Sequence, residues 1–123
     1  MKTTATILTG LVALLHFGFM YLEMFLWQSE FGLKTFGMTP EVAANSAVLA
    51  MNQGLYNGLL AGGLVWSFIT KNENSRLVIR TVILTMIVIA GGYGAATAKF
   101  SILFTQALPA ALALLLTRLS KPA

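Results

Sequence analysis

Residues 4 to 27 form one long apolar stretch, from Thr4 through Leu11-Val12-Ala13-Leu14-Leu15 to the aromatic end Phe25-Leu26-Trp27, and three more stretches of this kind follow. A helix needs about 20 mostly apolar residues to cross a hydrocarbon layer of roughly 30 Å, so each stretch is of spanning length. The later three are read at 46–70, 77–98 and 100–119. In lipid the backbone has to satisfy its own polar groups, which makes such spans helices. The expected fold is therefore all-α, a four-helix transmembrane bundle forming a single polytopic domain over 1–123, with an outer loop at 28–47. Composition agrees: 57% of residues are hydrophobic and only 10% charged, too little polar surface for an ordinary soluble domain. Cysteine is absent, which excludes disulfides, thiolate nucleophiles and thiolate metal sites. Lys2 ahead of an apolar run resembles the start of a secretory signal, but the run exceeds a signal core and lacks a small-residue cleavage site, so retention is expected.

Local signals divide the spans. Thr39-Pro40-Glu41 reads as an N-cap, a first-turn proline and an acid suited to the helix dipole, so a helix starts there and runs on into the second span. Asn72-Glu73-Asn74-Ser75 reads as a short turn, and Pro109 as a kink in the last span. Lys and Arg total 8 against 4 Asp and Glu, a net charge of +4. Six of the cations (Lys2, Lys71, Arg76, Arg80, Arg118, Lys121) fall on one side of this layout and two (Lys34, Lys99) on the other. The positive-inside rule then puts both termini and the 71–76 turn in the cytoplasm, Trp27 at the outer interface and Trp66 toward the inner one. The basic balance thus reports orientation, and no nucleic-acid partner is expected.

Polar residues inside the spans carry whatever chemistry there is. His16 and Glu23 are seven residues apart, about 20° around a helix, and share a face with Met20 and Trp27. An ionised carboxylate at mid-bilayer costs about 2.5–3.5 kcal/mol on insertion scales, so Glu23 must be protonated, paired or facing water. The second span carries Asn52-Gln53-Gly54-Leu55-Tyr56-Asn57-Gly58. Counting from the outer ends of antiparallel spans sets Asn52 and Gln53 at the depth of Glu23, and Asn57 at that of His16. Gly54, Gly58 and Gly62 recur every four residues, the small-residue spacing that lets helices approach closely in lipid. Tyr93, beside Gly91, Gly92 and Gly94, and Gln106 complete the outer-half polar set, with Lys99 the nearest obvious partner for Glu23.

One His, one embedded Glu and no Cys supply too few strong ligands for a metal site, and no cofactor is expected. Ser67 and Ser101 lie near span ends without a nucleophile motif. Acid/base work by His16 and Glu23 is physically allowed, although their Cα atoms would be roughly 10 Å apart along the helix.

The segments His16-Phe17-Gly18-Phe19-Met20-Tyr21-Leu22-Glu23-Met24-Phe25-Leu26-Trp27, Phe36-Gly37-Met38-Thr39-Pro40-Glu41 and Asn52-Gln53-Gly54-Leu55-Tyr56-Asn57-Gly58 resemble the bacterial integral-membrane proteins of domain-of-unknown-function family 1304. The resemblance covers essentially the whole chain. It implies four helices in a bacterial inner membrane and brings no reaction with it. The small multidrug exporters share the size and a first-span carboxylate, but their surrounding motif is absent here.

Three functions are carried forward. The first is a binding or transport unit with an outward-opening polar pocket of Glu23, His16, Asn52, Gln53, Asn57, Tyr93 and Gln106, where Glu23 takes up a proton or a small cationic or lipid-like ligand. The second is a structural protein in which the same groups only bond helices together and the glycine faces pack protomers into a homo-oligomer. The third, ranked last, is an intramembrane enzyme using Glu23 and His16 as acid and base.

Overall fold

The computed structural model describes residues 1–120, and every regular element among them is helical. α1 (Lys2–Phe25) is followed by a short α2 (Glu30–Phe36), a long α3 (Pro40–Ile69) and α4 (Glu73–Thr97). A π-helical turn (Leu103–Ala107) then leads directly into α5 (Leu108–Leu119). α1 and α4, of 24 and 25 residues, are long and apolar enough to cross a membrane. α3 is longer, at 30 residues, but Asn45, Ser46, Asn52, Gln53 and Asn57 dilute its apolar character. Leu103–Leu119 is a shorter apolar segment. Lys121, counted above among the cations, lies outside the described residues.

Capping chemistry sets the boundaries. Thr39 Oγ1 accepts the Val42 N–H at 3.3 Å ahead of Pro40, where the sequence starts the helix. Asn72 Oδ1 accepts the Ser75 N–H at 2.9 Å, so Asn72–Ser75 is the cap and first turn of α4 rather than a separate turn, and the helix begins before residue 77. The 28–47 stretch, read as a loop, contains α2. Ser29 Oγ accepts the Gly32 N–H at 3.1 Å to start it, and Gly37, at φ 62°, ends it with the Met38 N–H on the Leu33 carbonyl at 3.0 Å. Seven residues show too little of the helical period to stand out, and two glycines in eight positions imitate a loop. The kink expected at Pro109 takes the form of the π-helical turn just before it. Proline has no N–H to donate, and its ring crowds the carbonyl four residues back; the wider turn, with the Leu108 N–H reaching the Leu103 carbonyl, accommodates both.

Contacts divide the chain into two units, His16–Leu59 and Met1–Leu15 with Leu60–Ala123. The core of the second comprises Val12 and Ala13 of α1, Leu64 of α3, Leu84 and Ile87 of α4, and Ala110 and Ala113 of α5. Close approach here depends on small residues: a β-carbon on Gly91 would stand 2.8 Å from the Ala107 backbone nitrogen. Across the chain the buried residues are mostly small, while Leu14, Phe25, Leu49, Ile89 and Phe100 are each at least 65% exposed. That is the reverse of a water-facing surface.

Candidate functional site

In the His16–Leu59 unit the end of α1 is fixed before the polar residues meet. Ser29 Oγ donates to the Leu26 carbonyl at 2.6 Å while capping α2, which ties the two helices at their junction. α2 folds so closely onto the end of α1 that a β-carbon on Gly32 would overlap the carbonyl oxygens of Leu26 and Trp27. Trp27 packs against Phe36 with the rings tilted by 45° and 4.7 Å between centroids, and donates its indole N–H to Ser46 Oγ on α3 at 3.0 Å. The segment just past α1 is thus held to α2 by an aromatic pair and to α3 by a hydrogen bond.

Further along, the glycines of α3 let α1 come close. A β-carbon on Gly54 would meet Glu23 Cβ and the Met20 carbonyl oxygen, both at 3.1 Å, and one on Gly58 would meet Met20 Sδ at 2.5 Å. At this separation Asn57 Nδ2 donates to Glu23 Oε2 at 2.7 Å. The pair is half-buried. A hydrogen bond to a charged group contributes about 1.5–3 kcal/mol, but an amide carries no charge and cannot neutralise a carboxylate. Within this unit Glu23 has no cationic partner; the unit's ion pair is the exposed Lys34–Glu30 contact at 2.9 Å on α2. Asn57 presents both a carbonyl and an NH2 group, so it can donate to a carboxylate or accept from a carboxylic acid after an amide flip.

The expected pocket residues are distributed differently from the sequence reading. Glu23 meets Asn57, not Asn52 or Gln53; both of these are exposed and make no side-chain hydrogen bond among the described residues. Gly54, next to Gln53, lies beside Glu23 Cβ, so Asn52 and Gln53 fall near the expected depth and miss Glu23 because they sit on the exposed side of α3; Asn57, next to Gly58 against Met20, lies nearer Met20 than the His16 level expected for it. His16 is 1% exposed and stands edge-on to Phe19, with 5.4 Å between ring centroids. Tyr93 belongs to the other unit and is 72% exposed on α4; Gln106 is half-buried in the π-helical turn. Lys99 also belongs to that unit and is exposed. Of the three glycines in the α3 stripe, Gly62 faces open space.

A second polar group, in the larger unit, escapes the sequence reading. Arg80 is 8% exposed on α4, with Nε donating to Ser67 Oγ at 3.0 Å, Nη1 to Thr6 Oγ1 at 3.2 Å, and its guanidinium carbon 4.7 Å from the Phe68 ring centroid. Its position inside the stretch read as 77–98 is the signal that could have found it, but the orientation count treats it as one more loop cation.

An all-helical protein with two helices of membrane-crossing length, an apolar exterior and a carboxyl–amide couple between α1 and α3 is the class these features define. The family described as a protein of unknown function, DUF1304, matches residues 10–118, and the chain belongs to that family. It is 37% identical over 117 residues, 94% of this chain and 97% of the relative, to the uncharacterized protein YpaA of Lactococcus lactis subsp. lactis (strain IL1403). No solved structure matches the chain.

Proposed function

We propose that this is a four-span protein of the bacterial inner membrane, with both termini cytoplasmic, in which Glu23 is the functional ionisable group. The spans are α1, α3, α4 and the Leu103–Leu119 segment. The exposed leucines, isoleucines and phenylalanines then face lipid, and the cation count sets the direction. Glu23 takes up a proton or a small cation, and Asn57 holds it in either state. The observation that carries this reading is the 2.7 Å contact between Asn57 Nδ2 and a half-buried carboxyl with no cation beside it in its unit. His16, Asn52, Gln53, Tyr93 and Gln106 are supporting polar groups of the same protein. The exposed amides Asn52 and Gln53, costly against lipid, suit contact with a second copy.

The test is an infrared titration of the reconstituted protein, with and without added Na⁺ or K⁺. Only four acids are present, so the carboxyl band of Glu23 is resolvable by difference against Glu23→Gln. The proposal expects a band that responds to pH or cation and is missing in the folded variant. The competing reading, interhelical glue, is favoured by the tight Gly54 and Gly58 packing. It expects no such band and a change only in thermal stability or oligomer size.

A further inference from the structure

Among the described residues Arg80 has no ion-pair partner. It is 8% exposed, and its neighbours are two hydroxyls and an aromatic ring; the ion pairs among the described residues, Lys2–Glu73 and Lys34–Glu30, do not include it. A buried cation without an anion is strongly unfavourable unless something supplies the opposite charge.

Arg80 lines a cavity of about 140 Å³, together with Thr6, Arg76, Thr117, Lys2 and Glu73. The space is about ten times what a single water requires. Thr117, on α5, is 6% exposed, and its Oγ1 has no hydrogen-bond partner among the described residues. A buried hydroxyl left without a partner has given up its bonds to water with nothing in return. Lys2 and Glu73 pair at 3.1 Å with side chains 64% and 62% exposed, so they form a rim whose charges cancel. Arg76 and Arg80 remain, two cations with hydroxyl donors facing one space. Arg76 donates Nε to the Thr70 carbonyl at 3.2 Å and Nη2 to the Lys71 carbonyl at 3.4 Å, and Arg80 uses Nε and Nη1, so the remaining guanidinium N–H groups of both are the donors left for the oxygens of a phosphate, and a hydroxyl completes the set.

We propose that this cavity binds a phosphate group, either the phosphodiester of an anionic lipid headgroup or inorganic phosphate. Arg80 and Arg76 balance its charge and Thr117 donates to one of its oxygens. This site does not depend on Glu23. The lipid source fits the cytoplasmic position assigned to Lys2, Arg76 and Arg80, where anionic headgroups attract basic residues.

The test uses the full chain in a neutral detergent and follows thermal unfolding and native mass spectra with phosphatidylglycerol, phosphatidylcholine or inorganic phosphate, at matched ionic strength. Phosphatidylglycerol raising the midpoint where phosphatidylcholine does not supports a lipid headgroup; a rise with inorganic phosphate supports the free ion. In either case Arg76→Gln weakens the apparent affinity about tenfold. Thr117→Val weakens it severalfold while leaving the ligand-free midpoint unchanged or higher, because it removes an unpartnered hydroxyl. The proposal is overturned if neither phosphatidylglycerol nor phosphate shifts the wild-type midpoint, or if the shift survives both substitutions undiminished.

Discussion

Gly54 of α3 lies against the backbone of Met20 in α1, so closely that a β-carbon on the glycine would stand 3.1 Å from the Met20 carbonyl oxygen. That contact sets the spacing at which Asn57, three residues on, reaches Glu23, three residues past Met20. Packing and polar pairing are therefore one feature, and a substitution that forces the helices apart should loosen the hydrogen bond too.

The glycine stripe gives a graded prediction. Gly54→Ala meets Met24 Cγ at 2.5 Å and, at 3.1 Å, the Met20 carbonyl oxygen and the Glu23 β-carbon, which cannot swing away, and should destabilise by about 1–3 kcal/mol. Gly58→Ala meets the flexible end of Met20 and should cost less. Gly62→Ala enters open space and should stabilise by about 0.4–1 kcal/mol through the unfolded chain. Unfolding in mixed micelles measures all three; equal effects would remove the close-packing account.

The Glu23–Asn57 contact should appear as a coupling energy. Glu23→Leu, Asn57→Leu and the double variant form a cycle, and an interhelical hydrogen bond of this kind should give about 0.6–1.7 kcal/mol. Additive effects would mean that the two side chains do not act together in the folded protein.

Residue type was easier to read from the sequence than register. Glu23 and Asn57 stand out because each is a polar group in an apolar run, and that signal needs no coordinates. Their pairing is hidden because it depends on how far α3 slides along α1, which is settled by the Gly54 contact, the Trp27–Ser46 hydrogen bond and the fold of α2. The spacing of Gly54, Gly58 and Gly62 is periodic but does not say which residues of α1 they meet, and the other two have no periodic signature. Thr39 and Pro40 announce the start of α3 because capping is local chemistry. Arg80 could have been flagged in the same way as Glu23, but its role depends on Thr6 and Ser67, 74 and 13 positions away along the chain.

The α2 clamp predicts unequal costs for two small changes. Ser29→Ala removes the cap on Gly32 and should cost about 1 kcal/mol. Gly32→Ala places a methyl group on the carbonyl oxygens of Leu26 and Trp27, which belong to backbone and cannot rotate aside, so it should cost more than the cap. Trp27 reports on both: its emission should shift when the contact with Phe36 and the bond to Ser46 open. A Gly32→Ala protein with wild-type stability and emission would show that α2 does not hold the end of α1.

The proposed topology can be tested without first removing any thiol, because the chain has no cysteine. Lys34 on α2 and Lys71 between α3 and α4 are both exposed, and neither is part of the Glu23–Asn57 pair or the Arg80 cavity. The 34 region is assigned outside and the 71–76 region inside from the cation count, since Lys and Arg are retained on the cytoplasmic side during insertion. In intact spheroplasts a membrane-impermeant maleimide should therefore label Lys34→Cys and leave Lys71→Cys unmodified until the membrane is permeabilised. Each substitution removes one cation, and the remaining bias still favours the same direction. Labelling of both positions from outside would refute a four-span arrangement with cytoplasmic termini; labelling of Lys71→Cys alone would invert it, placing the Arg80 cavity at the outer surface and removing the cytoplasmic leaflet as its source of anionic lipid.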